Sequence, residues 1–241
     1  MIPLLPLFNA FGAALCVIAV RRLVISYSEN SLEEIKTFLF AYAYVGIYFL
    51  LVAMPAVVPN STIVQVLFTI SYIPLFLSAY YLLNVAFMLL HLQKLKVALR
   101  ILVVSTISLT VGLNILFFAP AHREEYAAFW LWSEGTPLWL QNLNGMLVGL
   151  FIIGGVLFFF WGGMRAQSKI ARIRAFFVSG GLTCFTLGAL LNYFLFAYLP
   201  FPLSEYAIIG GGVAGLLGVI LLLFGVQFRE ERIVDKVTKI V

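Results

Sequence analysis

Histidine and cysteine are nearly absent, with two of each in 241 residues, and charged side chains make up only 10% of the chain. Soluble domains carry about 25% charge. The shortage of polar surface makes a water-soluble fold, a disordered segment and an ordinary cytosolic enzyme poor readings. His91 and His122 fall at the ends of apolar runs on opposite sides. Haem ligation by a histidine pair and a histidine-rich zinc site therefore have no foundation, and no cofactor or metal is expected. Cys16 and Cys184 each lie near the middle of an apolar run, where a thiol is inert and serves as a small packing group.

What the chain has in abundance is hydrophobic residues, at 63%, of which aromatics supply 16% of the whole. Seven runs approach or exceed the roughly 20 apolar residues needed to cross a bilayer as a helix. They are Ile2 to Val20, Ile35 to Val58, Ile63 to Leu90, Val97 to Ala119, Leu138 to Trp161, Ala175 to Leu199 and Tyr206 to Phe228. None has an Asp, Glu, Lys or Arg in its interior; Lys36 and Arg100 sit within the first turn of their runs. Barrel strands would be shorter and would alternate in polarity, so the expected fold is all-α, an integral membrane bundle of seven transmembrane helices spanning 1–228. A short cytoplasmic amphipathic tail, 229–241, is expected to follow, with Ile233, Val237 and Ile240 at helical spacing.

Fourteen of the fifteen bases lie on one side of this arrangement: Arg21, Arg22, Lys36, Lys94, Lys96, Arg100, Arg165, Lys169, Arg172, Arg174, Arg229, Arg232, Lys236 and Lys239. Arg123 stands alone on the other. The positive-inside rule then puts the amino terminus outside and the carboxyl terminus in the cytoplasm, most simply of the plasma (cell) membrane. The net charge of +5 is thereby explained by topology, and no nucleic-acid partner is needed. The first run has no bases ahead of it and two arginines after it, so it reads as a retained helix and not as a cleaved signal. Ser31 and Glu34 have the spacing of a capping box ahead of the second span. Pro74 is expected to kink the third.

Spans without ionisable groups argue against pumps, ion-coupled carriers and voltage sensors. The last span has no lysine for a Schiff base, which excludes a retinal protein. No catalytic residues can be named, and the chain does not read as an enzyme. Amides form the one polar constellation. Asn9, Asn114, Gln141, Asn142, Asn144 and Asn192 all fall roughly 5 to 10 Å below the outer surface, counted at about 1.5 Å per residue. They suggest an outward-facing ligand pocket formed by Asn9, Asn114, Gln141, Asn144 and Asn192, roofed by the loop with Trp130, Trp132 and Trp139, and suited to a small neutral ligand. The alternative is that each amide joins two neighbouring helices. Glycines offer helix-packing ridges: Gly145 with Gly149, Gly180 with Gly188, and Gly211 with Gly215. Such ridges suit close packing within the bundle, a membrane-protein partner or a homo-oligomer.

Arg172 and Arg174 lead into a sixth span containing Gly181, Gly188 and Asn192, followed by a turn with Pro200 and Pro202 and an exit through Arg229. In this pattern and in its topology the chain resembles the seven-span sensor region at the amino terminus of some prokaryotic histidine kinases. The resemblance implies a ligand-sensing or partner-coupled role and transfers no ligand residues. Sugar carriers of the PQ-loop type are not matched, since no Pro-Gln pair occurs and the halves do not repeat their prolines. Three readings stand: a receptor-like or sensory module, a non-catalytic subunit of a larger membrane complex, and a carrier for an uncharged solute.

Overall fold

A computed structural model describes residues 2–126, 129–191, 199 and 203–227. Asn192, the Pro200 and Pro202 turn and the tail 229–241 lie outside the described residues. Seven helices are long and apolar enough to cross a membrane: α1 (Leu4–Asn30), α2 (Glu33–Ala53), α3 (Ser61–Leu89), α4 (Lys96–Leu116), α5 (Leu138–Arg165), α6 (Lys169–Ala189) and α7 (Leu203–Gln227). The helix ends that flank the connections after α1, α3 and α5 carry most of the bases and define a base-rich end. The opposite end carries a small sheet.

Two local features differ from the sequence expectations. Helix α1 continues ten residues past Val20, because Arg21 and Arg22 are good helix formers. It stops at Ser31, which adopts a left-handed conformation (φ 49°) and donates its N–H to the Tyr27 carbonyl at 2.7 Å. Ser31 therefore closes α1, and the expected capping box does not form; the N-cap of α2 is Leu32, with no side-chain cap. Glu33 and Glu34 in the first turn of α2 still complement its dipole. Asn60 caps α3 by accepting from the Ile63 N–H at 3.0 Å.

The second difference is a small β-sheet beside the all-α bundle, two of its strands falling in the outer loop that carries Trp130 and Trp132. Strands β1 (Ile2–Pro3), β2 (His122–Glu125) and β3 (Phe129–Ser133) form one sheet in the order β1-β3-β2. β2 and β3 are an antiparallel hairpin, while β1 runs parallel to β3. Phe129 and Leu131 alternate inward on β3 and pack with Ile208 and the start of α1. The sheet is tied to the helices: the Trp132 indole N–H donates to the Pro55 carbonyl at 3.0 Å, and the Ala121 N–H donates to that of Ser61 at 3.2 Å.

Six helices form a closed ring in the order α1-α2-α3-α5-α6-α7, and α4 packs outside it, chiefly on α3. The tightest seam is between α6 and α7. A Cβ placed on Gly188 would lie 2.8 Å from the Gly211 carbonyl oxygen and 3.2 Å from the Gly215 nitrogen, and Gly181 and Gly218 oppose each other in the same way. The ridge on α6 is thus Gly181 with Gly188; Gly180 is turned aside, its nearest neighbour being the Leu221 side chain at 3.9 Å. Gly211 and Gly215 meet Gly188 inside the chain. A Cβ on Gly149, in contrast, would meet nothing within 4 Å, so no helix stands over α5 at that point. Helix α7 also closes on α1, where Gly212 abuts the Phe8 ring.

Cys16 on α1 and Cys184 on α6 are both free thiols. The base-rich half of the ring is filled by a core that includes Cys16, Val85, Phe159, Val178 and Val219.

Packing predicts opposite outcomes for two glycine substitutions. Gly188→Val should destabilise by about 1–3 kcal/mol through overpacking against α7. Gly149→Ala should be neutral or stabilising by up to about 1 kcal/mol, because it gains helix propensity without a clash. Thermal unfolding of both variants in mild detergent, followed by tryptophan fluorescence, distinguishes them.

Candidate functional site

The ring is hollow from the sheet end to beyond its middle. A cavity of about 930 Å³ lies between the six helices and under β3, at the upper end of the range of small-molecule sites. On α3 its lining runs from Phe68 to Leu83, about 22 Å of helix. Its walls are mainly apolar, with Val45, Phe49, Leu75, Phe151, Ile152, Phe185 and Ile208 among them. The bare flank of α5 contributes Gly145 and Gly149, and α7 contributes Gly211, Gly212 and Gly215. Glycine here makes space as well as close packing.

The cavity also reaches the outer surface of the bundle. Met146, Leu150, Ile153 and Leu190 line it, yet they remain 58%, 66%, 46% and 45% exposed. Helices α5 and α6 touch in the base-rich half, where the Ser179 hydroxyl donates to the Val156 carbonyl at 3.1 Å. Through the exposed Met146, Leu150, Ile153 and Leu190 the cavity is open to the side at the depth of lipid chains.

Polar groups gather at the mouth. Glu134, between β3 and α5, accepts from the Tyr72 hydroxyl at 2.9 Å on Oε1 and from the Thr136 hydroxyl at 3.3 Å on Oε2. Removal from water pushes its carboxyl above the usual range, and the two hydrogen bonds oppose that shift without cancelling it. The Gln141 amide donates to the carbonyls of Glu134 (3.0 Å) and Thr136 (2.7 Å). Gln65, fully buried, accepts from the Gly135 N–H at 2.8 Å. A side chain at position 135 would run into the carbonyl oxygens of Ala119 and Pro120, so the turn that presents Glu134 requires glycine.

A second carboxylate, Glu124, lines the same mouth. It accepts from the Tyr126 hydroxyl at 2.9 Å and lies 3.2 Å from His122 Nε2. Burial, the Glu124 hydrogen bond and the charges of Glu124 and Glu205 all push the Tyr126 phenol upward. Arg123 is held elsewhere, 3.0 Å from Glu125 and 4.3 Å over the Trp130 ring. Among the described residues no lysine or arginine lines the cavity, and no group of three His, Cys, Asp or Glu is placed to hold a metal ion.

The amides singled out from the sequence divide. Asn9 and Gln141 line the cavity, although Asn9 spends its amide N–H on the Leu5 carbonyl of its own helix. Asn114 and Asn144 are fully buried and do not line it. Asn114 donates to the Thr110 carbonyl at 2.8 Å, and Asn114 Oδ1 and both polar atoms of Asn144 have no hydrogen-bond partner. Asn192 lies outside the described residues. Of the loop tryptophans only Trp132 faces the cavity; Trp139 packs edge-on to Phe117 and is half-exposed. Sequence reasoning missed Tyr72, Glu124 and Glu134. The loop acids were visible as charge, and nothing local marked Glu134 as turned inward.

No protein-family model matches the chain, and no curated protein matches it in sequence.

Glu134 gives a pH signature. A carboxyl whose folded pKa lies above its unfolded value contributes stability below that unfolded value, near 4.5, and loses it as pH rises through the folded pKa. Glu134→Gln removes the titration and keeps an acceptor for Tyr72. The wild type should therefore lose thermal stability relative to Glu134→Gln as pH is raised, with the two converging in acid; parallel Tm profiles across that range would count against the assignment.

Proposed function

We propose that this chain is a receptor-like, sensory membrane module without catalytic chemistry of its own, whose ligand occupies the central cavity. The observation that carries the reading is the cavity of about 930 Å³ enclosed by six helices, apolar along its length and polar at one mouth. Such a site binds by burial of apolar surface and orients its ligand through a few polar groups. The resemblance to seven-span sensor regions of histidine kinases supports the same role.

The proposed topology places the sheet outside the cell and the base-rich end in the cytoplasm of a cell-membrane protein. Ligand contact then has a physical route inward. Ile208, Gly211, Gly212, Gly215 and Leu216 of α7 line the cavity, and α7 continues to Gln227 at the base-rich end. An occupant that presses on one face of α7 changes its packing against α6, and the displacement is read at the cytoplasmic end.

Two measurements test this reading. With Glu125→Cys, a membrane-impermeant thiol reagent should label intact cells; with Gln167→Cys it should label only after permeabilisation. The reverse pattern overturns the orientation. For the cavity, the protein in lipid nanodiscs is titrated with a long-chain alcohol brominated on the carbon next to its hydroxyl-bearing carbon, which places the bromine at the mouth beside Trp132. Saturable quenching of Trp132 is expected, absent in Trp132→Phe and weakened by the cavity-filling Ala79→Phe. Quenching that rises only in proportion to the probe in the bilayer sinks the ligand-binding reading.

A further inference from the structure

We infer that the ligand of this cavity is a cationic amphiphile: a long hydrocarbon chain bearing an ammonium head, with the chain between the helices and the head at Glu134 and Glu124. The inference rests on the cavity being a ligand site and goes further by naming the chemical class.

The length and shape of the cavity select the tail. About 22 Å of wall along α3, most of it apolar with the hydroxyls of Ser71, Tyr72 and Ser78 spaced along it, suits an extended chain far better than a compact polar solute. Each methylene buried there contributes about 0.8 kcal/mol. The lateral gap at Leu150 and Leu190, both exposed yet lining the cavity, admits such a molecule from the surrounding lipid without its crossing water.

The mouth selects the head. Glu134 and Glu124 are the charged groups that face it, and His122, the one neighbouring base in the lining, is already engaged with Glu124 at 3.2 Å. The Glu134 carboxylate has about four lone-pair sites and uses two, for Tyr72 and Thr136. An ammonium with three N–H donors can take the remaining ones as charge-assisted bonds. The aromatic faces of Tyr126 and Trp132, which line the same mouth, favour a cation further. A fatty acid or a phosphate head would meet two carboxylates and no free arginine or lysine among the described residues.

Inside the cavity a second, independent feature points to an occupant. Tyr42 is only 2% exposed, lines the cavity from α2, and its hydroxyl has no hydrogen-bond partner. A buried polar group is ordinarily satisfied. This hydroxyl stands about 17 Å along α2 from the sheet end, far from the carboxylates, at the depth of the end of the bound chain, where a water enclosed beneath that end would satisfy it.

The test uses the full-length protein in nanodiscs and the brominated alcohol as reporter. Three unbrominated competitors of equal chain length, an alkylamine, an alcohol and a carboxylate, are compared near neutral pH. Relief of Trp132 quenching by the amine is expected at roughly tenfold lower concentration than by the alcohol, with the carboxylate weakest. Glu134→Gln and Glu124→Gln should each narrow the gap between amine and alcohol, whereas Tyr42→Phe, which touches neither carboxylate, should leave that gap unchanged. Each variant is first shown to keep its unfolding transition, and two carboxylate variants guard against a folding failure in one. Equal potency of amine and alcohol, preference for the carboxylate, or a gap that survives both glutamine variants overturns the cationic head while leaving the cavity reading intact. Absence of any saturable displacement overturns both.

Discussion

Closure of the helical ring is the constraint on which the other features depend. Six helices enclose a cavity only if the last meets the first, and α7 accomplishes this by lying against α6 on one side and α1 on the other. Both contacts are short because glycine removes the side chain that would separate the backbones: Gly188 with Gly211 and Gly215, Gly181 with Gly218, and Gly212 under the Phe8 ring. In lipid no hydrophobic force drives helices together, so association relies on such close packing. Where α5 has open space at Gly149, the same lack of a side chain leaves room inside, and Gly145 lines that space beside it.

Once the ring is closed, the two ends take on different characters. The base-rich end is filled with Val, Phe and Leu side chains below the floor of the cavity, which Tyr42, Leu83 and Leu222 mark. The rest of the ring keeps its interior empty beneath a lid of β3, and the lid together with α3 and α5 brings carboxylates, tyrosines and an amide to the rim of a mainly apolar space. Burying Glu134 in such a place costs free energy that hydrogen bonds from Tyr72 and Thr136 only partly offset. A group held at that cost is a stronger functional marker than the apolar walls, which any membrane protein would possess.

The sequence made the seven helices legible because crossing a bilayer demands about 20 apolar residues each, a signal that needs no knowledge of neighbours. Helical phase was another matter. Gln141 and Asn144 share a face by spacing, yet the cavity takes Gln141, Gly145 and Gly149, which recur every four residues, and leaves Asn144 turned toward a buried seam. One sequence shows the depth of an amide and not which neighbour it meets. The sheet was illegible for a related reason: β1 is two residues long and pairs in parallel with a strand more than a hundred positions away. Glu134 was legible as a charge at the outer side, but its inward turn depends on Gly135 and on the distant Gln65.

That pairing of β1 with β3 joins the lid to α1 without any intervening loop, since β1 ends at Pro3 and α1 begins at Leu4. Helix α1 is 27 residues long, a rod of about 40 Å with one end hydrogen-bonded into the cover of the cavity and the other beyond the paired arginines. Any lifting or settling of the cover is applied directly to one end of this rod. The lid and α1 are therefore one continuous piece of chain, and about halfway along it α1 is pressed against α2, where a Cβ on Gly46 would lie 3.1 Å from the Cys16 Cβ.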